Sequence, residues 1–198
     1  MTTRRTQRER RDRAEAALLG AAAELVVEDG VRALTLARVG ERAGYSRGIV
    51  THHFGSKQAL VERLARATQV GFVPGLAGLP PGLDRLLALL DGYVGALGEI
   101  GTMNRAFLLL WAEAATASEL APFFRERDEL FRTDLRADVA AGVDDGDIRP
   151  DAEPADVAVA VLAQLRGIGL QRMLDPGAVD TARLRHAVTE HWRRALRA

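Results

Sequence analysis

Residues 34–64, LTLARVGERAGYSRGIVTHHFGSKQALVERL, gather the side chains whose types and spacing suit a chemical task. If 46–54 is helical, Arg47, Thr51 and His52 share its outer face and Tyr45 stands at the entrance. An arginine presents a planar fork that bonds guanine O6 and N7 together, and a threonine suits a phosphate or a thymine methyl. His52 or Tyr45 can donate to a phosphate, which places a helix without reading sequence. Gly48 costs a helix about 1 kcal/mol relative to alanine. Either it lets the backbone approach DNA closely, or it is a neutral helix glycine. Lys57, the one lysine in the chain, follows Ser56 where a further helix opens, and free N–H groups there favour a phosphate.

The elements around these residues must hold them in place. Thr35 can cap a helix whose inward positions are Leu36, Val39 and Ala43. Gly44 permits the left-handed conformation that ends it, and Tyr45 makes the corner. Ser46 caps a second short helix with Ile49, Val50 and Phe54 inward. Two short helices meeting at such a corner give a helix-turn-helix, whose second helix lies in a major groove. The expected DNA-contacting set is Thr35, Tyr45, Ser46, Arg47, Gly48, Thr51, His52 and Lys57.

Charge supports this division only when counted by segment. The 198 residues carry 27 basic and 27 acidic side chains. Residues 1–66 hold thirteen basic against eight acidic, and 67–198 hold fourteen against nineteen, so neutrality is a cancellation. Arg4, Arg5, Arg8, Arg10 and Arg11 read as a disordered arm that adds phosphate or minor-groove contacts, or that is only solvated. With no cysteine, disulfides, thiolate zinc sites and cysteine nucleophiles are excluded. No apolar signal core follows the basic start, and no stretch reads as the ~20 apolar residues of a membrane span.

Helical periodicity recurs along nearly the whole chain. The first helix is expected over about Arg8–Glu28, and three shorter ones over Thr35–Ala43, Ser46–Phe54 and Ser56 toward Phe72. The Gly- and Pro-rich stretch 71–82 then marks a boundary. Five longer helices follow, around Leu83–Leu97, Met103–Ala114, Leu120–Val139, Ala155–Leu174 and Asp180–Arg197. The expectation is an all-α chain of about nine helices. Residues 1–66 would form the arm and a three-helix helix-turn-helix domain, and 67–198 a larger helical domain for ligand binding and dimerisation.

Residues 10–65 resemble the DNA-binding domain of the tetracycline-repressor (TetR) family, on Gly30, Thr35, Ala43, Gly44, Ser46, Gly48, Phe54, Ser56, Lys57 and Leu60. The resemblance implies a dimeric repressor whose larger domain holds an effector pocket and whose last two helices form the dimer interface. Thr51 departs from it, standing where the family most often has a tyrosine. A phosphate contact made by a phenol elsewhere is then shorter here, or comes from His52 or Tyr45.

On the helices that surround a cavity in the resembled family fall Tyr93, Met103, Asn104, Phe107, Trp111, Phe124 and Gln164. They line an effector pocket, or they fill a core as aromatics at helical spacing commonly do. For the dimer, the eighth and ninth helices offer Leu162, Leu165, Ile168, Val188, His191 and Trp192. Paired across two subunits they make a four-helix bundle, or they bury against their own subunit.

His52 and His53 are adjacent, point about 100° apart on a helix and do not chelate one ion from one face. No catalytic motif, metal site or cofactor is expected. The reading is a bacterial, cytoplasmic, homodimeric transcriptional regulator, most often a repressor in such a family. It would bind a palindromic double-stranded operator, with no membrane partner, and be released by a small apolar or amphipathic effector. Two other classes share the same residues: an activator or architectural DNA binder without ligand response, and a helical enzyme or small-molecule-binding protein with an accidental motif.

Overall fold

The computed structural model describes residues 6–68, 73, 76–116 and 119–198. Among them are nine α-helices and no strand, apart from an isolated bridge between Ile148 and Arg197. The chain divides into two compact units, residues 1–70 with 101–122, and residues 71–100 with 123–198.

In the first unit α1 spans Gln7–Asp29. Thr6 opens it with a capping box: its hydroxyl accepts from the Glu9 amide, and the Glu9 carboxylate accepts from the Thr6 amide. Arg8, Arg10 and Arg11 therefore lie on the exposed first turns of a helix. This corrects the expectation of a disordered arm for them; Arg4 and Arg5 lie outside the described residues. The buried stripe of α1 is rich in alanine (Ala14, Ala21, Ala22, Ala23) beside Leu18, Leu25 and Val26. Gly30, with φ 81°, closes the helix. A 3-10 turn over Val31–Ala33 leads to α2 (Leu36–Ala43), α3 (Arg47–Phe54) and α4 (Lys57–Ala67). The sequence places the fourth helix's end near Phe72; α4 ends at Ala67, and residues 69–72 lie outside the described set.

The sixth helix joins this same unit. α6 (Thr102–Glu113) packs against α1 and touches α4, and its Ala106, Phe107, Leu108 and Leu110 are buried. The division at residue 66 had put it in the C-terminal domain. The alanine stripe of α1 gives an aromatic-bearing helix a shallow surface on which to pack closely.

The second unit contains α5 (Leu83–Ala96), α7 (Ala121–Asp144) from Phe123 onward, α8 (Pro154–Leu174) and α9 (Thr181–Leu196). Pro154 and Asp156 occupy the first turn of α8, where a missing N–H is harmless and a negative charge meets the helix dipole. Asp180 caps α9 by accepting from the Arg183 amide at 3.1 Å. The core joins Leu86, Leu90 and Val94 of α5, Leu135 and Val139 of α7, Val161 and Leu165 of α8, and Val188 and Leu196 of α9. Asp138 is buried where α7 meets the start of α5, and its Oδ1 accepts from Arg85 Nε at 2.6 Å and from the Gly82 amide at 3.2 Å. α8 is long and apolar enough, by length and hydropathy alone, to cross a membrane. One apolar side of it is buried in this core, and it carries the buried Arg166.

Candidate nucleic-acid interface

The corner between α2 and α3 is fixed by local hydrogen bonds. Thr35 Oγ1 accepts from the Arg38 amide at 3.2 Å and Ser46 Oγ from the Ile49 amide at 3.4 Å. Gly44 adopts φ 74°, ψ 28°, which turns the chain, and the Tyr45 amide then donates to the Gly40 carbonyl at 2.8 Å. Gly40 was not singled out in the sequence. A Cβ there would stand 2.7 Å from the Tyr45 carbonyl oxygen and 3.1 Å from Val50 Cγ2, so the crossing of α3 over α2 needs a glycine at this point.

The outer face of α3 is open. Arg47, Gly48, Thr51 and His52 are exposed, and Tyr45 is half-buried at the entrance. A Cβ at Gly48 would meet only Ser46 Oγ, at 3.7 Å, so the fold itself does not require glycine there. Ile49, expected inward, is 41% exposed and belongs to this outer face; Val50 alone fills the inward position completely. His53 packs beside Phe54, with ring centres 6.0 Å apart.

Two hydrogen bonds alter the expected roles. Thr51 Oγ1 donates to the Arg47 carbonyl at 3.0 Å, which engages its hydroxyl proton inside the helix. Lys57 Nζ donates to the Arg32 carbonyl at 2.9 Å, so the ammonium ties α4 to the 3-10 turn. It retains two further N–H donors.

Many of the head's arginines are structural. Arg42 reaches from α2 to Glu24 and Glu28 on α1, Arg38 pairs with Asp29, Arg63 with Glu15 and Arg32 with Glu113. Arg42's hydrogen bonds hold the Glu28 carboxyl below the usual carboxylate range. Among the described residues no ion pair engages Arg47.

Residues 18–64 match the family described as bacterial regulatory proteins, tetR family, and residues 82–197 match the C-terminal domain of BetI-type transcriptional repressors. The chain belongs to the TetR family. It is a DNA-binding transcriptional regulator with a BetI-type C-terminal region. It is 25% identical to the HTH-type transcriptional regulator BetI 1 of Chromohalobacter salexigens over 88% of this chain and 86% of that one. NalD of Pseudomonas aeruginosa, the secondary repressor of the MexAB-OprM multidrug efflux pump, shares the fold at TM-score 0.80 and 22% identity, over 96% of this chain and 98% of its own. A putative transcriptional regulator from Saccharomonospora viridis, solved in complex with choline, superposes at TM-score 0.79 and 16% identity, over 94% and 99%.

The residues expected to line an effector pocket are split between the two units of this TetR-family chain. Met103, Asn104, Phe107 and Trp111 lie on α6 in the first, with Phe107 fully buried. Tyr93, Phe124 and Gln164 lie in the second. Tyr93 and Phe124 are buried, and Gln164 accepts from Trp192 Nε1 at 2.6 Å, so its carbonyl ties α8 to α9.

The residues expected at a dimer interface lie on α8 and α9. Leu162, Leu165, Ile168, Val188 and Trp192 are buried within their own subunit, and of the six only His191 is exposed. A period-3.6 pattern marks an apolar face without saying what covers it, and here the subunit's own core covers it. The exposed side of α8 carries another apolar row, Val159, Ala163, Gly167, Leu170 and Leu174, spaced three and four apart. Val159 is 56% and Leu174 88% exposed. On α9, His186, Ala187, Glu190, His191, Arg194 and Ala195 border an open concavity of about 560 Å³.

Proposed function

We propose that the chain acts as a homodimeric repressor that holds a palindromic operator through paired α3 helices and releases it when a small organic effector occupies the C-terminal region. The observation that carries the reading is the outer face of α3, where Arg47, Thr51 and His52 stand exposed on a helix packed against α2, which ion pairs tie in turn to α1. Arg47 is placed to read guanine, and the Thr51 and Ile49 apolar groups suit thymine methyls. Tyr45, Ser46 and Lys57 near the starts of α3 and α4, and His52 in the last turn of α3, supply phosphate contacts, and Thr35 fixes the α2 start behind them.

Dimerisation through the exposed row of α8 and the concave side of α9 would give two reading heads, whose half-sites lie about one helical turn apart. An effector that binds better when the heads are mis-spaced must weaken DNA binding by the same factor. The choline complex of the Saccharomonospora neighbour supports an effector of small organic type.

The test is a fluorescence-anisotropy titration of the full chain against DNA flanking its own gene, at several salt concentrations. A specific complex whose log affinity falls linearly with log salt is expected, each phosphate contact adding about 0.9 to the slope. If no duplex binds more tightly than unrelated DNA, the operator reading fails; tight binding that no small molecule relieves would point to an architectural binder.

A further inference from the structure

The first unit, which carries the reading head, has a cavity of its own. It is bordered by the 3-10 turn and α4 on one side and by the end of α6 on the other, and its volume is about 310 Å³. Ligand pockets run from roughly 300 to 1,000 Å³, so this one suits a compact guest. Its deep lining is apolar: Val61 and Leu120 are buried, and Val31 beside them is half-buried. None of the residues expected at an effector pocket is among the described residues that line it.

Charge is divided across this cavity. Arg32 and Lys57 belong to the turn and α4, whereas Glu113 and Glu119 belong to the end of α6 and the chain that follows it. One pair is closed, with Arg32 Nε donating to Glu113 Oε1 at 3.1 Å. The two sides are also fixed locally. Lys57 Nζ donates to the Arg32 carbonyl at 2.9 Å, and the Thr116 amide and hydroxyl donate to the Glu113 carbonyl at 2.9 and 3.2 Å. One charge of each sign is left over. The Lys57 ammonium keeps two N–H donors and pairs with no carboxylate, and no hydrogen bond or ion pair engages the Glu119 carboxylate among the described residues. Solvated surface charges need no cavity; these two border one with a buried apolar lining.

We propose that this cavity binds a compact zwitterion with an apolar body, of the amino-acid class, its carboxylate on Lys57 and its ammonium on Glu119. The apolar body covers Val31, Val61 and Leu120. Charge-assisted hydrogen bonds are about twice as strong as neutral ones, and two of opposite sense fix the direction in which the guest lies. Selectivity comes from repulsion as well as attraction: a lone acid is repelled by Glu119, and a lone amine by Lys57. The site lies in the first unit and does not depend on an effector in the C-terminal region.

Isothermal titration calorimetry on the full-length protein without DNA compares phenylalanine with hydrocinnamate and phenethylamine, and leucine with isocaproate and isoamylamine. Each acid or amine keeps the apolar body and lacks one charge. At least one amino acid should bind about ten-fold or more tighter than both of its partners. Glu119→Gln should remove the advantage over the matched acid and, because Glu119 is exposed, leave Tm unchanged; Glu119→Asp should retain part of it. Lys57→Gln should remove the advantage over the matched amine, in a protein whose circular dichroism shows it folded. An acid or amine that binds as tightly as the amino acid, no measurable binding of either amino acid, or a variant at Glu119 or Lys57 to Gln that keeps the full advantage overturns the proposal. Should Lys57→Gln not fold, the wild type and Glu119→Gln decide. Because no DNA is present, a failure here is distinct from failure of the operator reading.

Discussion

Gly40 lies directly beneath the Tyr45 carbonyl, close enough that a methyl group on Gly40 would stand 2.7 Å from the oxygen. The obstacle is backbone, not the end of a flexible side chain, so the corner itself would have to move. Gly40→Ala should destabilise the head by about 1 to 3 kcal/mol through overpacking and displace α3 from α2. Thermal unfolding with a DNA titration checks this; an unchanged Tm with unchanged operator affinity would contradict the geometry.

Gly48 should respond in the opposite sense. The space around it is open, so Gly48→Ala should raise helix stability by up to about 1 kcal/mol, yet weaken operator binding if the backbone approaches DNA there. A variant both more stable and equally tight on DNA would identify Gly48 as a neutral helix glycine.

Arg47 and Lys57 should separate by mechanism. Arg47→Ala is expected to relax base preference by about 1 to 3 kcal/mol at one operator position and leave Tm unchanged. Lys57→Ala removes a donor to the Arg32 carbonyl, so it should weaken all duplexes similarly and also lower Tm. Binding to a panel of single-substitution operators distinguishes the two.

Ala163 lies on the exposed side of α8. Ala163→Glu places a charge in the proposed subunit contact and should shift sedimentation toward the monomer, with loss of operator affinity and an intact helical circular dichroism spectrum. A persistent dimer would move the interface elsewhere.

Asp91 and Arg185 join α5 to α9, with Arg185 Nη2 2.5 Å and Nε 2.7 Å from the carboxylate. These bonds hold Asp91 below the ordinary carboxylate range. A lowered folded value means the contribution is present above the unfolded value, about 4, and is lost as pH falls through the folded one. The pair is partly exposed, so Asp91→Asn should cost about 1 kcal/mol or less at neutral pH. The difference in Tm between variant and wild type should close on acidification; a gap that widens would contradict the assigned sign.

What the sequence made legible was local. Thr35, Ser46, Ser56 and Asp180 announce helix starts because a cap is a contact within three residues, and Gly30 and Gly44 announce ends because only backbone freedom is needed. Partner choice was not local. The α6 pattern showed an apolar face but could not say that α1 would cover it, and the buried residues of α8 looked the same whether they faced a sister subunit or Tyr93 and Leu90. Ile49 reads as a core residue by type, and its exposure follows from the angle at which α3 crosses α2. Gly40 could have been noticed, since a glycine four residues before Gly44 inside a short helix needs a reason.

All the basic side chains but Lys57 are arginines. Lys57 therefore carries the chain's one ε-amine, and it sits exposed at the start of α4 on the proposed DNA face. Amine-directed acylating reagents have a single side chain to find, so the mass increment on the peptide that carries Lys57 reports on one spot. Its rate of appearance, with and without duplex, turns that solitary amine into a built-in footprint of operator occupancy.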